Sequence, residues 1–190
     1  MMPATPLPPL LQGPRVRLRS FTAADITEAY IGWLNDPAVV RYSNQRFVQH
    51  TRDSCERYLA GFEGSANLFV SLRIVRPAGG AEQAMGTLTA YRWLPHGTAD
   101  IGILIGDRAA WGQGLGLEAW QVLTDWLIAT PGVRKLTAGT LACNRSMLAV
   151  AERSGMQREA VCRAQELVDG VPTDIIHFAR FASLARAHGA

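Results

Sequence analysis

A glycine-rich turn between an apolar strand and a long helix constrains the fold of this chain more than any other segment. Residues 98–105 become apolar and β-branched toward Ile105, which predicts a buried strand. From Leu115 to Leu127 the apolar residues recur at helical spacing, which predicts an amphipathic helix. Residues 111–116, Trp-Gly-Gln-Gly-Leu-Gly, place three glycines between strand and helix. Such a turn leaves backbone N–H groups open at the positive end of a helix dipole, and it predicts a phosphate-binding site.

A dinucleotide-binding turn is one interpretation of these glycines, because residues 114–119 match the G-x-G-x-x-A fingerprint. That fingerprint expects a carboxylate about 20 residues later to bind the ribose. No Asp or Glu lies between Asp125 and Glu152, and the chain does not continue into repeated βαβ units. The dinucleotide interpretation is therefore rejected.

Length and composition limit the remaining possibilities. A chain of 190 residues is long enough for one domain with a substantial core and short for two. The net charge of +3 is scattered, which argues against a nucleic-acid partner, and no apolar run approaches the length of a membrane span. The three cysteines are widely spaced, so neither a disulfide framework nor a zinc site is expected. We expect a cytoplasmic protein without a bound metal.

The pattern of the chain predicts one domain over residues 15–182, between a flexible Pro-rich leader at 1–14 and a loose tail at 183–190. Thr22 is predicted to cap a first helix that runs to about Leu34. The other predicted elements are strands at 15–21, 68–75, 85–93 and 135–141, helices at 52–62 and 146–153, a turn at 77–80, and a hairpin of strands 157–167 and 174–181 around Asp169 and Gly170.

Three segments resemble those of one enzyme family. The Trp-Gly-Gln-Gly-Leu-Gly run at 111–116 resembles the signature loop of the GCN5-related N-acetyltransferases (GNAT), in particular the branch that contains the ribosomal-protein N-terminal acetyltransferases. Residues 144–156, from Asn144 to Met156, are similar to a second conserved segment of that branch. Residues 33–42, Trp-Leu-Asn-Asp-Pro followed by Val-Arg-Tyr, resemble a third. The resemblance extends over residues 15–182.

The resemblance implies a single mixed α/β (α+β) domain with a central, mostly antiparallel sheet that is flanked by helices and splayed at the acetyl-CoA site. It implies that strands 98–105 and 135–141 lie side by side and separate near Ile105. The main chain of Ile103, Leu104 and Ile105 would pair with the pantetheine arm of acetyl-CoA, although these residues also fit an ordinary core strand. The pyrophosphate would lie on Gly112, Gln113, Gly114, Leu115 and Gly116. Asn144 has two interpretations, a helix N-cap and a pantetheine contact.

Catalytic residues follow less directly. Asp100 lies on the strand that leads to the thioester, where it could take the proton of an amine, or it could be an exposed charge at the strand start. Relatives that protonate the thiolate with a Tyr have it at the position of Ala151. Others use a Ser at the position of Met147, one place after Ser146. Ser146 is therefore a candidate acid only after a small shift, and water is the alternative.

The acceptor is expected near the end of the first helix, where Trp33, Asp36, Arg41 and Tyr42 would form a mixed pocket wall beside Asn35. The implied activity is acetyl transfer from acetyl-CoA to a primary amine of a small molecule, such as an amino sugar, or of a protein N-terminus, by direct attack on the thioester. The protein would act as a monomer or homodimer. The missing Tyr and displaced Ser leave a second possibility, a catalytically silent acyl-CoA-binding module.

Overall fold

The computed structural model describes residues 4–75 and 82–182 of the chain. Its strands are β1 (Leu11–Gln12), β2 (Val16–Ser20), β3 (Leu68–Ile74), β4 (Gln83–Trp93), β5 (Thr98–Ile105), β6 (Lys135–Leu141), β7 (Gln157–Val168) and β8 (Val171–Phe181). Its helices are α1 (Glu28–Asn35), α2 (Pro37–Val40), α3 (Arg52–Ala60), α4 (Leu115–Ala129) and α5 (Arg145–Arg153). The predicted turn at 77–80 and the tail at 183–190 lie outside the described residues.

All eight described strands form one sheet in the order β1-β2-β3-β4-β5-β6-β8-β7. Every neighbouring pair is antiparallel except β5 and β6, which run parallel. This confirms the predicted mixed α/β domain with a mostly antiparallel sheet. None of the helices in the described residues is both long and apolar enough to cross a membrane.

The sheet opens between β5 and β6. Only Thr98, Ala99 and Asp100 pair across this junction, with Lys135, Leu136 and Thr137. Beyond them β5 stays paired with β4 as far as Ile105, and β6 stays paired with β8 as far as Leu141. The predicted splay is therefore confirmed, but it begins directly after Asp100 and not near Ile105. Residues 101–105 consequently have one unpaired edge.

Two hydrophobic clusters fix the sheet from opposite faces. On one face α4 buries Trp120, Leu123 and Leu127 completely, in a cluster that includes Ile101 and Leu136 from the two splayed strands. On the other face α1 and α3 pack over β3, in a cluster formed by Phe21, Ile26, Tyr30, Leu34, Cys55 and Phe69. Burial of an aromatic or aliphatic side chain contributes roughly 1.5–3 kcal/mol each, so both faces of β5 are held rigidly while its edge stays open.

The first helix differs from its prediction. The chain forms a 3₁₀ turn at Ala23–Asp25, and α1 begins only at Glu28, with the hydroxyl of Thr27 accepting from the Tyr30 N–H. The cause is Asp25, whose carboxylate accepts from the Thr22 N–H and from two nitrogens of Arg19, at 2.7 and 2.6 Å. This ion pair holds the turn in place of a continuous helix.

The leader also differs from the expectation of an unpaired segment. Leu11 and Gln12 pair with Leu18 and Arg17 as strand β1, so the sheet begins before residue 15. The remaining predicted elements agree with the structure to within a few residues, and β6 agrees at both ends.

Candidate functional site

The loop after β5 is shaped by its own side chains. Asp107 caps a 3₁₀ turn at Arg108–Ala110 by accepting from the Ala109 N–H. The Trp111 indole N–H donates to the Ile105 carbonyl at 2.9 Å, and the Gln113 amide donates to the Ala109 carbonyl at 2.6 Å. These bonds orient Trp111 and Gln113 back toward the strand, and they leave the glycines as the outer surface of the loop.

Gly112 and Gly114 give the loop its path. Their φ angles of +73° and +75° lie in the left-handed region, which favours glycine. A Cβ atom on Gly112 would meet nothing within 4 Å, and one on Gly114 would meet only Arg15 Nη2 at 3.7 Å. Open space therefore lies over the loop, and a side chain would occupy it.

The glycine loop leads directly into the positive end of α4. Gly114 is the N-cap residue, and its carbonyl accepts from the Glu118 N–H at 3.1 Å. The amides of Leu115, Gly116 and Leu117 belong to the first turn, where a helix supplies no acceptor of its own. This geometry suits an anionic group such as a phosphate.

Arg15 and Glu118 fasten the loop to the sheet. The Glu118 carboxylate accepts from the Arg15 backbone N–H at 2.6 Å, from Arg15 Nε at 2.8 Å and from the Val16 N–H at 3.2 Å. Arg15 Nη1 also donates to the Gln113 carbonyl at 3.0 Å. The start of β2 and the first turn of α4 are thereby held on either side of the loop.

The edge of β5 that faces β6 is the second component of the site. Ile103 and Ile105 pack against the α4-side core, and Leu104 packs against the cluster under α1 and α3. Their side chains are thus core residues, while their main-chain groups on the splayed edge have no strand partner. The core interpretation agrees with this packing, and the pairing of the backbone with a pantetheine arm stays a prediction.

Asn144 is the N-cap of α5. Its side-chain oxygen accepts from the Met147 N–H at 3.2 Å, and its Nδ2 donates to Thr140 Oγ1 at 3.1 Å. Ser146 follows on the exposed surface of the helix, whereas Ala151 is completely buried. The N-cap interpretation of Asn144 is confirmed, and its contact with a pantetheine arm stays a prediction.

Asp100 lies at the point where the two strands separate. Its carboxylate accepts a hydrogen bond of 2.6 Å from the hydroxyl of Thr137, its partner on β6. Partial burial raises the pKa of the Asp100 carboxyl above its usual value, while the Thr137 bond and the charge of nearby His177 lower it. The net result is a carboxylate with increased basicity at the closed end of the splay.

A cavity of about 350 Å³ lies on the other face of β5, under α1 and α3. Gly102, Ile103 and Leu104 form one wall, and residues from α1, α3, β3, β4 and the loop before α3 complete it. The cavity and the open edge therefore share the same residues of β5. A molecule in the cavity would lie next to a molecule that occupies the splay.

The comparison with known families agrees with this arrangement. The sequence profile described as an acetyltransferase (GNAT) domain matches residues 15–157. The chain belongs to the GNAT acetyltransferase family. Membership confirms the predicted enzyme class, an acetyl-CoA-dependent N-acetyltransferase. A comparison with curated protein sequences found no significant match.

Solved GNAT structures share the fold of this chain. The spermidine N-acetyltransferase of Vibrio cholerae, solved with CoA and spermine, has a TM-score of 0.77 at 15% identity, over 88% of this chain and 96% of its own. RimL, a ribosomal L7/L12 α-N-protein acetyltransferase solved with CoA, has 0.76 at 16%, over 90% and 97%. The ribosomal-protein-S5-alanine acetyltransferase of Vibrio fischeri has 0.76 at 15%, over 92% and 97%. At such identities the likeness establishes the fold alone.

The residues predicted to form the acceptor wall of this GNAT chain have other neighbours. Trp33 packs on Gly106, where an added Cβ would lie 2.2 Å from the indole ring. Asp36 caps α2 and lies 3.6 Å from Arg108. Arg41 lies 3.6 Å from Asp169 and over the ring of the exposed Tyr42. None of Trp33, Asp36, Arg41 and Tyr42 is among the residues that line the cavity under α1 and α3.

Asn35 connects the end of α1 to the loop before α3. Its amide donates to the His50 carbonyl at 2.8 Å and accepts from the His50 N–H at 2.9 Å. The imidazole of His50 lines the cavity, and its Nε2 is sealed from solvent without a hydrogen-bond partner among the described residues. Asn35 thus positions a cavity residue without lining the cavity itself.

The loop at residues 43–48, which we call the roof loop, is fastened to the tip of the β7–β8 hairpin. Arg46 donates to the Leu167 carbonyl at 3.2 Å and lies 3.5 Å from the Glu166 carboxylate. Asn44 donates to the same carboxylate at 3.3 Å. Because Ser43, Gln45 and Val48 of this loop line the cavity, the hairpin helps to close it.

Sequence reasoning missed most of the cavity. Tyr30 was expected on the inner side of a helix, but only the fold shows that it lines the same cavity as Thr87 and Thr89 of β4. The alternation of Thr87, Thr89 and Tyr91 in β4 is a signal that a polar-lined face follows that strand. No group of three or more potential metal-ligating side chains occurs in the described part of the chain.

Proposed function

We propose that this chain transfers the acetyl group of acetyl-CoA to a primary amine, either of a small molecule such as an amino sugar or of a protein N-terminus. The amine would attack the thioester directly. The observation that carries this proposal is the unpaired edge of β5 over residues 101–105, which follows Asp100 and has a partly open cavity beside it on the same strand.

The residues that would hold acetyl-CoA fit the group. The main chain of the segment Ile103, Leu104 and Ile105 has groups without a strand partner on the edge toward β6, as an added strand requires, although the Ile105 carbonyl already accepts from Trp111. Gly112, Gln113, Gly114, Leu115 and Gly116 would bind the pyrophosphate with backbone N–H groups, and Asn144 would border the pantetheine arm. When bound, acetyl-CoA supplies the activated acetyl thioester.

Asp100 would act as the general base. An amine arrives mostly as an ammonium ion, and it becomes a nucleophile only after a proton leaves its nitrogen. The carboxylate of Asp100 has a raised pKa and lies where the strands separate, so it is suited to take that proton directly or through a water. Attack then forms the C–N bond of the amide and breaks the C–S bond.

The departing sulfur needs a proton, and the chain offers no Tyr for this purpose at Ala151. Ser146 is exposed on the first turn of α5, five residues after the end of β6 at Leu141. We propose that a water molecule, or Ser146 after a small shift, supplies the proton.

The decisive experiment is acetyl transfer to a panel of amines, with products identified by mass spectrometry. The panel should contain amino sugars, polyamines, amino acids and short peptides. We expect release of CoA together with an N-acetylated product. A protein that is stabilised by acetyl-CoA but acetylates none of these amines would support the silent binding module instead.

A further inference from the structure

We propose that the cavity under α1 and α3 takes a primary amine whose body is neutral, hydroxylated and about the size of a monosaccharide. Polyamines, amino acids and peptide N-termini would be rejected. This inference rests on the proposed function, because the cavity receives the acceptor only if the open edge of β5 carries the thioester.

The cavity lining has neither carboxylates nor Lys or Arg side chains. No Asp, Glu, Lys or Arg side chain is among the described residues that line the cavity. Burial raises the pKa of the Cys55 thiol and of the Tyr30 and Tyr58 hydroxyls, which keeps these three lining groups neutral.

A lining without Asp, Glu, Lys or Arg selects among amines by the cost of removing their charged groups from water. The reacting nitrogen can lose its proton to Asp100, but a second ammonium group, as in a polyamine, would enter the cavity without a carboxylate partner. The carboxylate of an amino acid would likewise meet no Arg or Lys. Burying an unpaired charge costs several kcal/mol, which is enough to exclude both classes.

Neutral hydrogen-bonding groups are nevertheless available. The Tyr30 side chain is 4% exposed, and its hydroxyl makes no hydrogen bond with any described residue. Among the described residues, the sealed polar atoms that lack a partner are Arg17 Nε, His50 Nε2 and Trp120 Nε1. The Tyr30 hydroxyl is not one of them, and Tyr30 lines the cavity, so we infer that its hydroxyl faces the cavity. The hydroxyls of Thr87 and Thr89 also line the cavity without a partner among the described residues.

These hydroxyls favour a ligand that can donate to them and accept from them. A polar group in a largely apolar cavity is costly when it has no partner, and an apolar amine would leave all three without one. A hydroxylated amine would satisfy them at the same time as it fills the apolar wall formed by Leu34 and Phe69. The preferred acceptor is therefore neutral and hydroxylated.

Volume sets the size limit. The cavity has a volume of about 350 Å³, which holds roughly a dozen water-sized groups. This is about the space that one sugar ring requires. A peptide N-terminus would need a groove that continues outward, but the roof loop is held over the cavity by Arg46, whose side chain is only 15% exposed. Small amines fit inside this closure.

Isothermal titration calorimetry on the CoA-saturated protein measures amine binding without turnover. It therefore tests the acceptor class separately from catalysis. The probes are glucosamine, spermidine, L-alanine and a tripeptide with a free N-terminus. We expect glucosamine to bind at least about tenfold more tightly than the other three, since each of the others buries an unpaired charge or exceeds the cavity. Tighter binding of spermidine, L-alanine or the tripeptide would overturn the inference.

Two substitutions test the lining itself. Tyr30→Phe removes one hydroxyl and keeps the ring, so we expect weaker binding of 2-aminocyclohexanol by about three- to tenfold and no change for cyclohexylamine. Equal effects on both amines would show that Tyr30 is only structural. Gln45→Glu keeps the shape of a lining residue and adds a carboxylate, and it should increase the affinity for spermidine at least about tenfold.

The binding experiment and the turnover experiment can each contradict one proposal and leave the other standing. If glucosamine binds best but no amine is acetylated, the acceptor class stands and the proposed acetyl transfer is wrong. If spermidine is acetylated and also binds best, acetyl transfer stands and the neutral acceptor class is wrong.

Discussion

The two sides of β5 offer a ligand different chemistry. On the edge toward β6, the available groups are main-chain amides and carbonyls of residues 101–105, followed by the amides of the glycine loop. On the face toward α1 and α3, the available groups are side chains such as Tyr30, Thr87 and Thr89. A site made of backbone depends on the path of the chain, and a site made of side chains depends on which residues stand there. Proteins of one fold can therefore differ in their acceptors, as do the spermidine N-acetyltransferase and the ribosomal-protein-S5-alanine acetyltransferase that share this fold at 15% identity.

The largest effect is expected at the junction of the two sides. Asp100→Asn keeps the size of the side chain and can still accept the Thr137 bond, but it cannot take a proton. We expect turnover to fall by roughly 10² to 10⁴, while acetyl-CoA binding is unchanged. Steady-state kinetics and titration of acetyl-CoA measure the two effects separately. Amines of low pKa, which are already neutral, should recover part of the rate.

Stability provides the control for this variant. Because the folded state raises the pKa of Asp100, its ionised form costs stability, and that cost is absent below the unfolded pKa and complete above the folded pKa. Asp100→Asn should therefore unfold at the same or a slightly higher temperature at pH 7. A large loss of stability, or an unchanged rate and pH profile, would contradict the role as a base.

The next largest effect tests the backbone side alone. Gly114→Val places a branched side chain in the open space over the loop, at a φ angle of +75°. We expect the Kd for acetyl-CoA to rise by about 30-fold or more, equivalent to about 2 kcal/mol, with no change in the order of preference among amines.

Gly132→Val is the matched control for Gly114→Val. Gly132 also has a positive φ, of +86°, and open space around it, but it lies in the turn after α4. Both variants suffer the same kind of backbone strain, of about 1–2 kcal/mol. Only the Gly114 variant should lose acetyl-CoA binding, and an affinity within twofold of the original in that variant would remove the loop from the site.

A smaller effect is expected on the side-chain side. Arg46→Met keeps a long apolar stem and removes the Arg46 contacts with Glu166 and Leu167, so that only the Asn44 bond to Glu166 still joins the roof loop to the hairpin. We expect the KM for the amine to rise about tenfold and the KM for acetyl-CoA to remain unchanged. If both values rise together, the two sides are not independent, and the contrast between them fails.

The smallest effect concerns the pH profile. The hydroxyl of Thr137 lowers the pKa of Asp100, so Thr137→Val should raise that pKa further. A base works only when it is deprotonated, and the acidic limb of the rate profile should therefore move to higher pH. The rate at alkaline pH should change only a few-fold. A limb that stays in place would show that another group takes the proton.

The edge of β5 that offers main-chain groups could be predicted from the sequence, and the cavity lined by side chains could not. The limits of β6, the helix after residue 114 and the hairpin at Asp169 and Gly170 all follow from local signals of periodicity and turn chemistry. The break before α1 could not be predicted, because it depends on the ion pair between Arg19 of β2 and Asp25. The cavity could not be predicted either, because Tyr30, His50 and Thr87 line it together only after α1, the loop before α3 and β4 have packed. The predicted acceptor residues Trp33 and Asp36 do not line this cavity, and their contact with an acceptor stays a prediction.

The short junction between β5 and β6 has a consequence for the lifetime of the protein. Only three residue pairs join β5 to β6, so we expect this junction to open with the lowest free energy among the junctions inside the edge strands. A cosubstrate that pairs with the open edge would contact the sheet on both sides of the junction. Its binding free energy would add to the free energy needed to separate β5 from β6. We expect proteolytic cleavage and amide exchange near the junction to slow as acetyl-CoA becomes plentiful. The amount of intact enzyme in a cell would then rise and fall with the supply of its own acyl donor.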